Sequence, residues 1–132
     1  MQKRNDYQPG YIYLIYNPAT KLYKIGLSRK PLTRLKYLKK AYKSKLKILH
    51  TSWVFNMRLV EKSLHKQFGM QNRYQGEIDG GTEWFEFNWW VLPYVKSSMV
   101  SKCLLVNAGY VLCAIALIGL IVGIVSLLIG GI

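Results

Sequence analysis

Three side chains of this sequence have the chemical types that hydrolysis of a phosphodiester requires. That reaction needs a group that activates or orients water, a cation that neutralises the charge developing on the phosphate, and usually a metal ion held by a carboxylate. Tyr13, Arg34 and Glu61 supply one of each. They lie far apart in the chain, so the fold must bring them together before they can act jointly.

A β-hairpin is predicted near the N-terminus. Residues 11–16 and 22–26 are apolar and aromatic runs that flank an Asn-Pro-Ala-Thr turn cluster, a pattern that is typical of a hairpin. Side chains alternate between the two faces of a strand. Tyr13 on the first arm and Lys24 on the second could therefore meet on one face of the sheet.

A helix and a third strand are predicted after the hairpin. Apolar residues recur at three- to four-residue spacing over residues 31–44, which indicates an amphipathic helix that begins with Pro31 and carries Arg34. Residues 47–55 are rich in apolar and β-branched side chains, so a strand is expected there.

A second helix is predicted to follow that strand. Asn56 is placed to cap it, and an apolar stripe continues to Phe68. Glu61 and His65 are four residues apart, so they share one face of this helix. The sequence therefore predicts an α+β fold, in which a small antiparallel sheet, made of the hairpin and the third strand, is flanked by helices.

The charge of the chain is strongly positive. There are 19 Lys and Arg against 6 Asp and Glu, and no acid lies between Lys21 and Lys47. Such a field favours a polyanion, either nucleic acid or an anionic membrane surface. Six basic residues on and before the first helix are expected to contact DNA phosphates, with a merely solvated basic helix as the alternative: Arg29, Lys30, Lys36, Lys39, Lys40 and Lys43.

The C-terminal part of the chain predicts a membrane span. The 27 residues 103–129 carry no charge, and at about 1.5 Å per residue they can cross a hydrocarbon core of roughly 30 Å. We therefore expect a domain over 1–95, a basic linker over 96–102 and one transmembrane helix over 103–129. Because the Lys and Arg precede the span, the positive-inside rule places the domain in the cytoplasm of a single-pass, tail-anchored protein.

Two further features of this region have alternatives. Gly119 and Gly123 form a small-x-x-x-small pair through which two such helices could associate as a homodimer, although glycine is common in membrane helices. Trp89, Trp90 and Tyr94 precede the span, and they could lie among lipid head groups or close the soluble core.

The hairpin resembles the paired signature of the GIY-YIG nuclease superfamily. Tyr11-Ile12-Tyr13 stands in the first triplet, and Lys24-Ile25-Gly26 follows after ten intervening residues. Arg34, Glu61 and Glu83-Trp84-Phe85 also stand where the family pattern has such residues. The residues of these motifs most resemble those of the phage-type open-reading-frame DNA-binding branch of the superfamily. The resemblance covers residues 10–88.

The resemblance implies a role for each of these residues. Tyr13 would help to deprotonate or orient water, Arg34 would bind the scissile phosphate, and Glu61 would ligate one divalent ion, Mg²⁺ or Mn²⁺. His65 would transfer a proton or contact phosphate, unless it is a hydrogen-bonded structural histidine. Lys24 departs from the pattern, because most nucleases of the family have a second tyrosine there. As a base or as a phosphate-binding cation, Lys24 would still belong to the site.

Residues 83–87 alternate like a short strand. Trp84 and Phe85 could pack in the core or offer a stacking surface, and Glu83 could be a second acidic ligand. Three functions are consistent with all of these features. The first is a membrane-anchored DNA-binding domain that hydrolyses phosphodiester bonds, the second is a non-catalytic nucleic-acid-binding module on a tail anchor, and the third is a membrane-surface protein that binds anionic lipid.

Overall fold

The predicted hairpin is present in the computed structural model, which describes residues 8–73 and 81–131. Asn17 closes the turn, because its Oδ1 accepts the N–H of Ala19 at 3.0 Å and the hydroxyl of Ser44 at 2.6 Å. Asx turns of this kind are a common use of asparagine. The turn thus joins the two arms and also holds the end of the following helix.

The other predicted strands and helices of the domain are present within two residues of their expected ends, whereas the helix predicted over 103–129 begins earlier, at Leu92. Asn56 caps the second helix as predicted, and its Oδ1 accepts the N–H of Leu59 at 3.1 Å. In chain order the described elements are β1 (Gly10–Asn17), β2 (Leu22–Ser28), α1 (Pro31–Tyr42), β3 (Lys47–Val54), α2 (Met57–Gln67), β4 (Trp84–Phe85) and α3 (Leu92–Gly130). Short 3₁₀ turns precede β4, at Gly69–Gln71, and α3, at Trp89–Val91.

The strands form one antiparallel sheet in the order β3-β1-β2-β4. The α+β class is confirmed, and the short strand β4 adds a fourth member to the hairpin and third strand. In the register, Tyr13 faces Gly26 and Ile15 faces Lys24. Tyr13 and Lys24 are therefore diagonal neighbours on one face of the sheet, as the alternation predicts.

The two faces of the sheet bury different sets of side chains. Tyr13 and Ile15 pack with Leu38 of α1 and with Trp84 on one face. The other face packs against α2 and α3, and its apolar cluster includes Ile12, Leu14, Ile25, Val60, Leu64, Val95, Met99 and Cys103. Trp84 and Phe85 are both buried in the core, which confirms one of the two roles considered for them. The site residues of β1 and β2 thus lie between the sheet and α1.

α3 is a single helix of 39 residues that has two different halves. Its first half packs on the sheet, and Pro93 lies in the first turn, where its missing N–H costs nothing. The segment 96–102, which we expect to be a linker, is helical and contains the buried Met99. The second half is apolar and exposed, and it is long and apolar enough to cross a membrane.

Gly119 and Gly123 lie in this exposed half, and no described residue outside the helix lies within 4 Å of a Cβ at either position. The homodimer through these glycines therefore stays a prediction.

Candidate active site

Tyr13 is held in place by the absence of a side chain at Gly26. The phenol is almost fully buried, and it lies across the α-carbon of Gly26 on the neighbouring strand. A Cβ at Gly26 would stand 2.4 Å from the hydroxyl oxygen and 2.5 Å from the ring carbon that bears it. The glycine of the Lys24-Ile25-Gly26 triplet is therefore required for close approach of the tyrosine.

Gly26→Ala is expected to destabilise the fold by about 1–3 kcal/mol, because the whole ring edge of Tyr13 must move inside a packed core. Urea unfolding measures this loss. Gly69→Ala is a suitable control, since among residues 8–73 and 81–131 no atom beyond its chain neighbours lies within 4 Å of a Cβ at Gly69. Equal midpoints for the two variants would contradict the tight packing of Tyr13.

Arg34 donates a hydrogen bond to the hydroxyl of Tyr13 from the first turn of α1. Burial raises the pKa of Tyr13 well above its ordinary value of 10.0, and Arg34 counteracts only part of that rise. Tyr13 is therefore a neutral phenol at physiological pH. Of the two roles implied for it, orientation of water fits this state better than removal of a proton.

Lys24 is fully buried and forms an ion pair with Glu83. Its Nζ lies 2.5 Å from Oε2 of Glu83, and it also lies 5.8 Å from the centre of the Trp84 ring. A buried charge is costly unless it is paired in this way. The sequence suggests Glu83 as a second acidic ligand, which stays a prediction, and it does not predict the pairing of Glu83 with Lys24.

Glu61 is a buried carboxylate on α2, whereas Glu83 is about one quarter exposed. Its Oε2 accepts a hydrogen bond from Nη1 of Arg58 at 3.0 Å. Burial, and next the negative charge of Glu83, raise the pKa of Glu61 to about 7, although Arg58 and Lys24 act in the opposite direction. Glu61 is thus poised between its neutral and charged forms, and a cation placed between the two carboxylates would favour the charged one.

His65 binds the backbone of β2 through one ring nitrogen. Its Nε2 lies 2.8 Å from the carbonyl oxygen of Ile25, to which it donates, and its ring packs 5.2 Å from that of Phe85. Burial lowers the pKa of His65, which favours the neutral imidazole. This geometry agrees with the structural role, because Nε2 is bonded to the backbone of β2.

The predicted residues come together, but they do so in a covered site. The charges of Arg34, Glu61 and Glu83 affect the pKa of Tyr13, and the charge of Lys24 affects the pKa of Glu61. Tyr13, Lys24 and Glu61 are nevertheless almost fully buried, so these three side chains do not form an open surface. The guanidinium of Arg58 is about one third exposed and lies over Glu61.

The six basic residues expected to bind DNA are all exposed. Those that lie on α1 share that helix with Arg34, while Leu38 points into the core. Arg29 donates to Oε1 of Gln8 at 3.3 Å. The helix therefore presents a cationic outer face next to the covered site, and phosphate contact there needs no rearrangement of the core.

The described residues offer a divalent ion only a small number of ligands. Among residues 8–73 and 81–131, no group of three or more His, Cys, Asp or Glu side chains could hold a metal ion. Mg²⁺ commonly keeps several waters and uses one or two carboxylates. Glu61 and Glu83 are close enough for the charge of one to shift the pKa of the other, so together they could supply such a ligand pair.

These features define a small α+β module of the nucleic-acid-binding, nuclease-like type. Residues 10–105 match the T5orf172 domain, which is found in phage-associated proteins of the GIY-YIG-like and HNH-type endonuclease context. The match covers well over half of the chain, and the chain therefore belongs to the T5orf172 domain family. No curated protein and no solved structure matches the chain significantly.

Proposed function

We propose that this chain is a membrane-anchored domain of the GIY-YIG type that binds DNA and hydrolyses its phosphodiester bonds with one divalent ion, Mg²⁺ or Mn²⁺. The observation that carries the proposal is the meeting of Tyr13, Lys24, Arg34 and Glu61 around the carboxylate of Glu83. These residues come from β1, β2, α1 and α2, and two of them, Lys24 and Glu61, are buried charged side chains of the kind that functional sites often contain.

Each residue has a defined task in this proposal. Arg34 supplies positive charge at the scissile phosphate, and Tyr13, which accepts a hydrogen bond from Arg34, orients the attacking water. Lys24 fixes Glu83 beside Glu61. A divalent ion held by the two carboxylates would supply charge neutralisation at the phosphate. Arg58 must move aside before Glu61 can take part, because it covers that carboxylate.

Incubation of the detergent-solubilised chain with supercoiled plasmid, with and without Mg²⁺ or Mn²⁺, tests the proposal. Open circles should form only with the metal, and Arg34→Ala should lose both rate and some DNA affinity. Binding without any cleavage under either metal would favour the second function, a non-catalytic DNA-binding module. The covered Glu61 is the specific observation that supports this second function.

Recognition of DNA should depend mainly on phosphate contacts, because α1 presents lysines rather than side chains suited to reading base edges. Lys39→Glu combined with Lys43→Glu is expected to weaken binding to all sequences alike. The slope of log affinity against log salt should flatten by about one for each lost contact. Fluorescence anisotropy across a salt series measures both effects.

Lys62→Glu combined with Lys66→Glu is the matched control. These lysines are also exposed and four apart, but they lie on α2. The control should keep the parental salt slope, and a larger change in the control than in the α1 variant would move the DNA surface to α2. Binding of the anchor-free domain to anionic vesicles, in preference to DNA, would support the lipid-binding function instead.

The anchor in this proposal is the exposed half of α3, with the domain on the cytoplasmic side. Support comes from its length and apolar composition, and from the position of all Lys and Arg before the exposed apolar stretch. Protease added outside sealed vesicles that carry the chain in the cellular orientation should leave the domain intact.

A further inference from the structure

The domain and the apolar half of α3 are joined without a flexible linker. Asn107 of α3 binds the end of β3 through both atoms of its amide. Its Oδ1 accepts the N–H of Phe55 at 2.9 Å, and its Nδ2 donates to the carbonyl of Trp53 at 3.1 Å. The carbonyl of Trp53 and the N–H of Phe55, at the end of β3, both gain a hydrogen-bond partner on α3 in this way. The helix and the sheet are therefore fixed relative to each other.

An aromatic cluster lies one turn further along the helix. The ring of Tyr110 stacks on Phe55, with 5.3 Å between centres and 8° between planes, and Trp53 packs edge-on against Phe55 at 4.6 Å. The hydroxyl of Tyr110 accepts a hydrogen bond from Nδ2 of Asn56 at 3.2 Å. We call Trp53, Phe55 and Tyr110 the junction cluster.

The helix beyond the junction cluster has the length of a membrane span. From residue 111 to residue 130 every side chain is exposed, and about 20 residues at 1.5 Å each extend roughly 30 Å, the thickness of the hydrocarbon core. Cys103 and Asn107 precede this segment and contact the domain. Cys103 is buried and the amide of Asn107 is bonded to the end of β3, so both belong to the packed half of α3, although composition includes both in the uncharged run.

The hydrogen bonds between α2 and α3 show which parts of the domain lie level with the junction cluster. Asn56 bonds to Tyr110, whereas Gln67 bonds to Ser98, so the two helices are antiparallel and α2 begins at the end nearer the span. Leu59, in the first turn of α2, is half exposed. Leu59 and the exposed Trp53 thus both lie at the end of the domain nearer the apolar helix.

We propose that the domain rests directly on the bilayer, with Trp53, Leu59 and Tyr110 in the head-group layer and the lipid-crossing segment beginning at Val111. This inference rests on the anchor in the proposed function. Exposed Trp and Tyr next to a span favour the interface, where a ring can be half in lipid and half in water. A patch of this kind, next to a span, fits a lipid surface better than water.

The other exposed tryptophans are far from this layer. Trp89 and Trp90 stand at the opposite end of the packed half of α3, about 20 residues or roughly 30 Å along the helix from Tyr110. The head-group position that the sequence suggests for Trp89, Trp90 and Tyr94 is taken instead by Trp53 and Tyr110 in this proposal.

Quenching by brominated lipid tests the arrangement in the full chain. The chain is reconstituted into phosphatidylcholine vesicles with bromine on the acyl carbons nearest the head group. Trp89→Phe with Trp90→Phe keeps Trp53 as the exposed indole, and Trp53→Phe keeps the distant pair. Both variants retain the fully buried Trp84 as a common background. The first variant should lose emission relative to vesicles of unbrominated lipid, and the second should not.

Flotation of the same vesicles separates the two proposals. A chain that does not float has no anchor, and both the anchor and this arrangement are then wrong. A chain that floats but shows no quenching of Trp53 keeps the anchor and overturns the seating of the domain. Quenching of Trp53→Phe in place of the other variant also overturns it, because the distant pair would then face the lipid.

Discussion

Glu61→Gln is expected to lower Mg²⁺-dependent nicking by about 100-fold or more while leaving the fold and the DNA affinity close to those of the parent chain. Glutamine has the size of glutamate and can still accept the hydrogen bond from Arg58. Its amide has no charge with which to hold a cation. The rate is measured as conversion of supercoiled plasmid to open circle, and affinity is measured separately in EDTA.

Glu86→Gln is the matched control for this variant. Glu86 is exposed and pairs with Arg73 at 2.9 Å, on the surface of the domain. A surface pair contributes little to stability, so this variant should nick DNA at the parental rate. If Glu61→Gln does the same and both proteins are folded, Glu61 takes no part in cleavage and the binding module is the better description.

The same two variants are expected to differ in how folding stability depends on pH. The pKa of Glu61 is raised from 4.5 to about 7 in the folded chain. The folded state therefore holds the proton more tightly than the unfolded chain, so Glu61 stabilises the fold most at low pH. That contribution is lost as the pH rises through about 7.

The loss amounts to at most about 3 kcal/mol. Metal-free urea titrations at several pH values measure it. Glu61→Gln should gain stability relative to the parent as the pH rises, and Glu86→Gln should follow the parent throughout. A parallel course for all three proteins would show that Glu61 titrates normally.

Sequence pattern is sufficient for the elements whose signals are local. The hairpin follows from strand alternation on both sides of an Asn-Pro turn, and the structure confirms it with Tyr13 and Lys24 on one face. Asn56 is predictable as a cap for the same reason, since a cap acts on the N–H groups of the next few residues. In both cases the interacting groups are close neighbours in the sequence.

The partners of buried charges cannot be predicted in this way. Lys24 and Glu83 are 59 residues apart, and only the two-residue strand β4 brings them together. A buried lysine requires a nearby negative charge, but nothing in the pattern says which acid supplies it. The pairing of Arg58 with the buried Glu61 is equally hard to predict, because the burial of Glu61 depends on how α2 packs against the sheet.

The division of α3 into a packed half and an exposed half also cannot be predicted from composition. An uncharged run of 27 residues suggests one uniform span from Cys103, since hydropathy averages over single polar side chains. Asn107 and Tyr110 mark the end of the packed half. Their role can be recognised only once their hydrogen-bond partners are known, which are Phe55 at the end of β3 for Asn107 and Asn56 at the start of α2 for Tyr110.

A chain that ends at Tyr110 is expected to be soluble and folded, whereas a chain that ends at Lys96 is expected to lose most of its folding stability. Met99 and Cys103 are buried in the core between α3 and the sheet. Removal of a large buried side chain costs about 2–5 kcal/mol, and domains are stable by only about 5–15 kcal/mol. The shorter chain therefore has little stability left.

Gel filtration and urea unfolding of the two truncated chains, with the full chain in detergent as the reference, measure this difference. Composition alone would place the cut before Cys103, but a cut there also removes Asn107 and exposes the end of β3 that it covers. Equal unfolding midpoints for the two truncated chains would show that the packed half of α3 adds nothing to the domain. Retention of the longer chain in the membrane fraction would show that the domain surface holds lipid without the span.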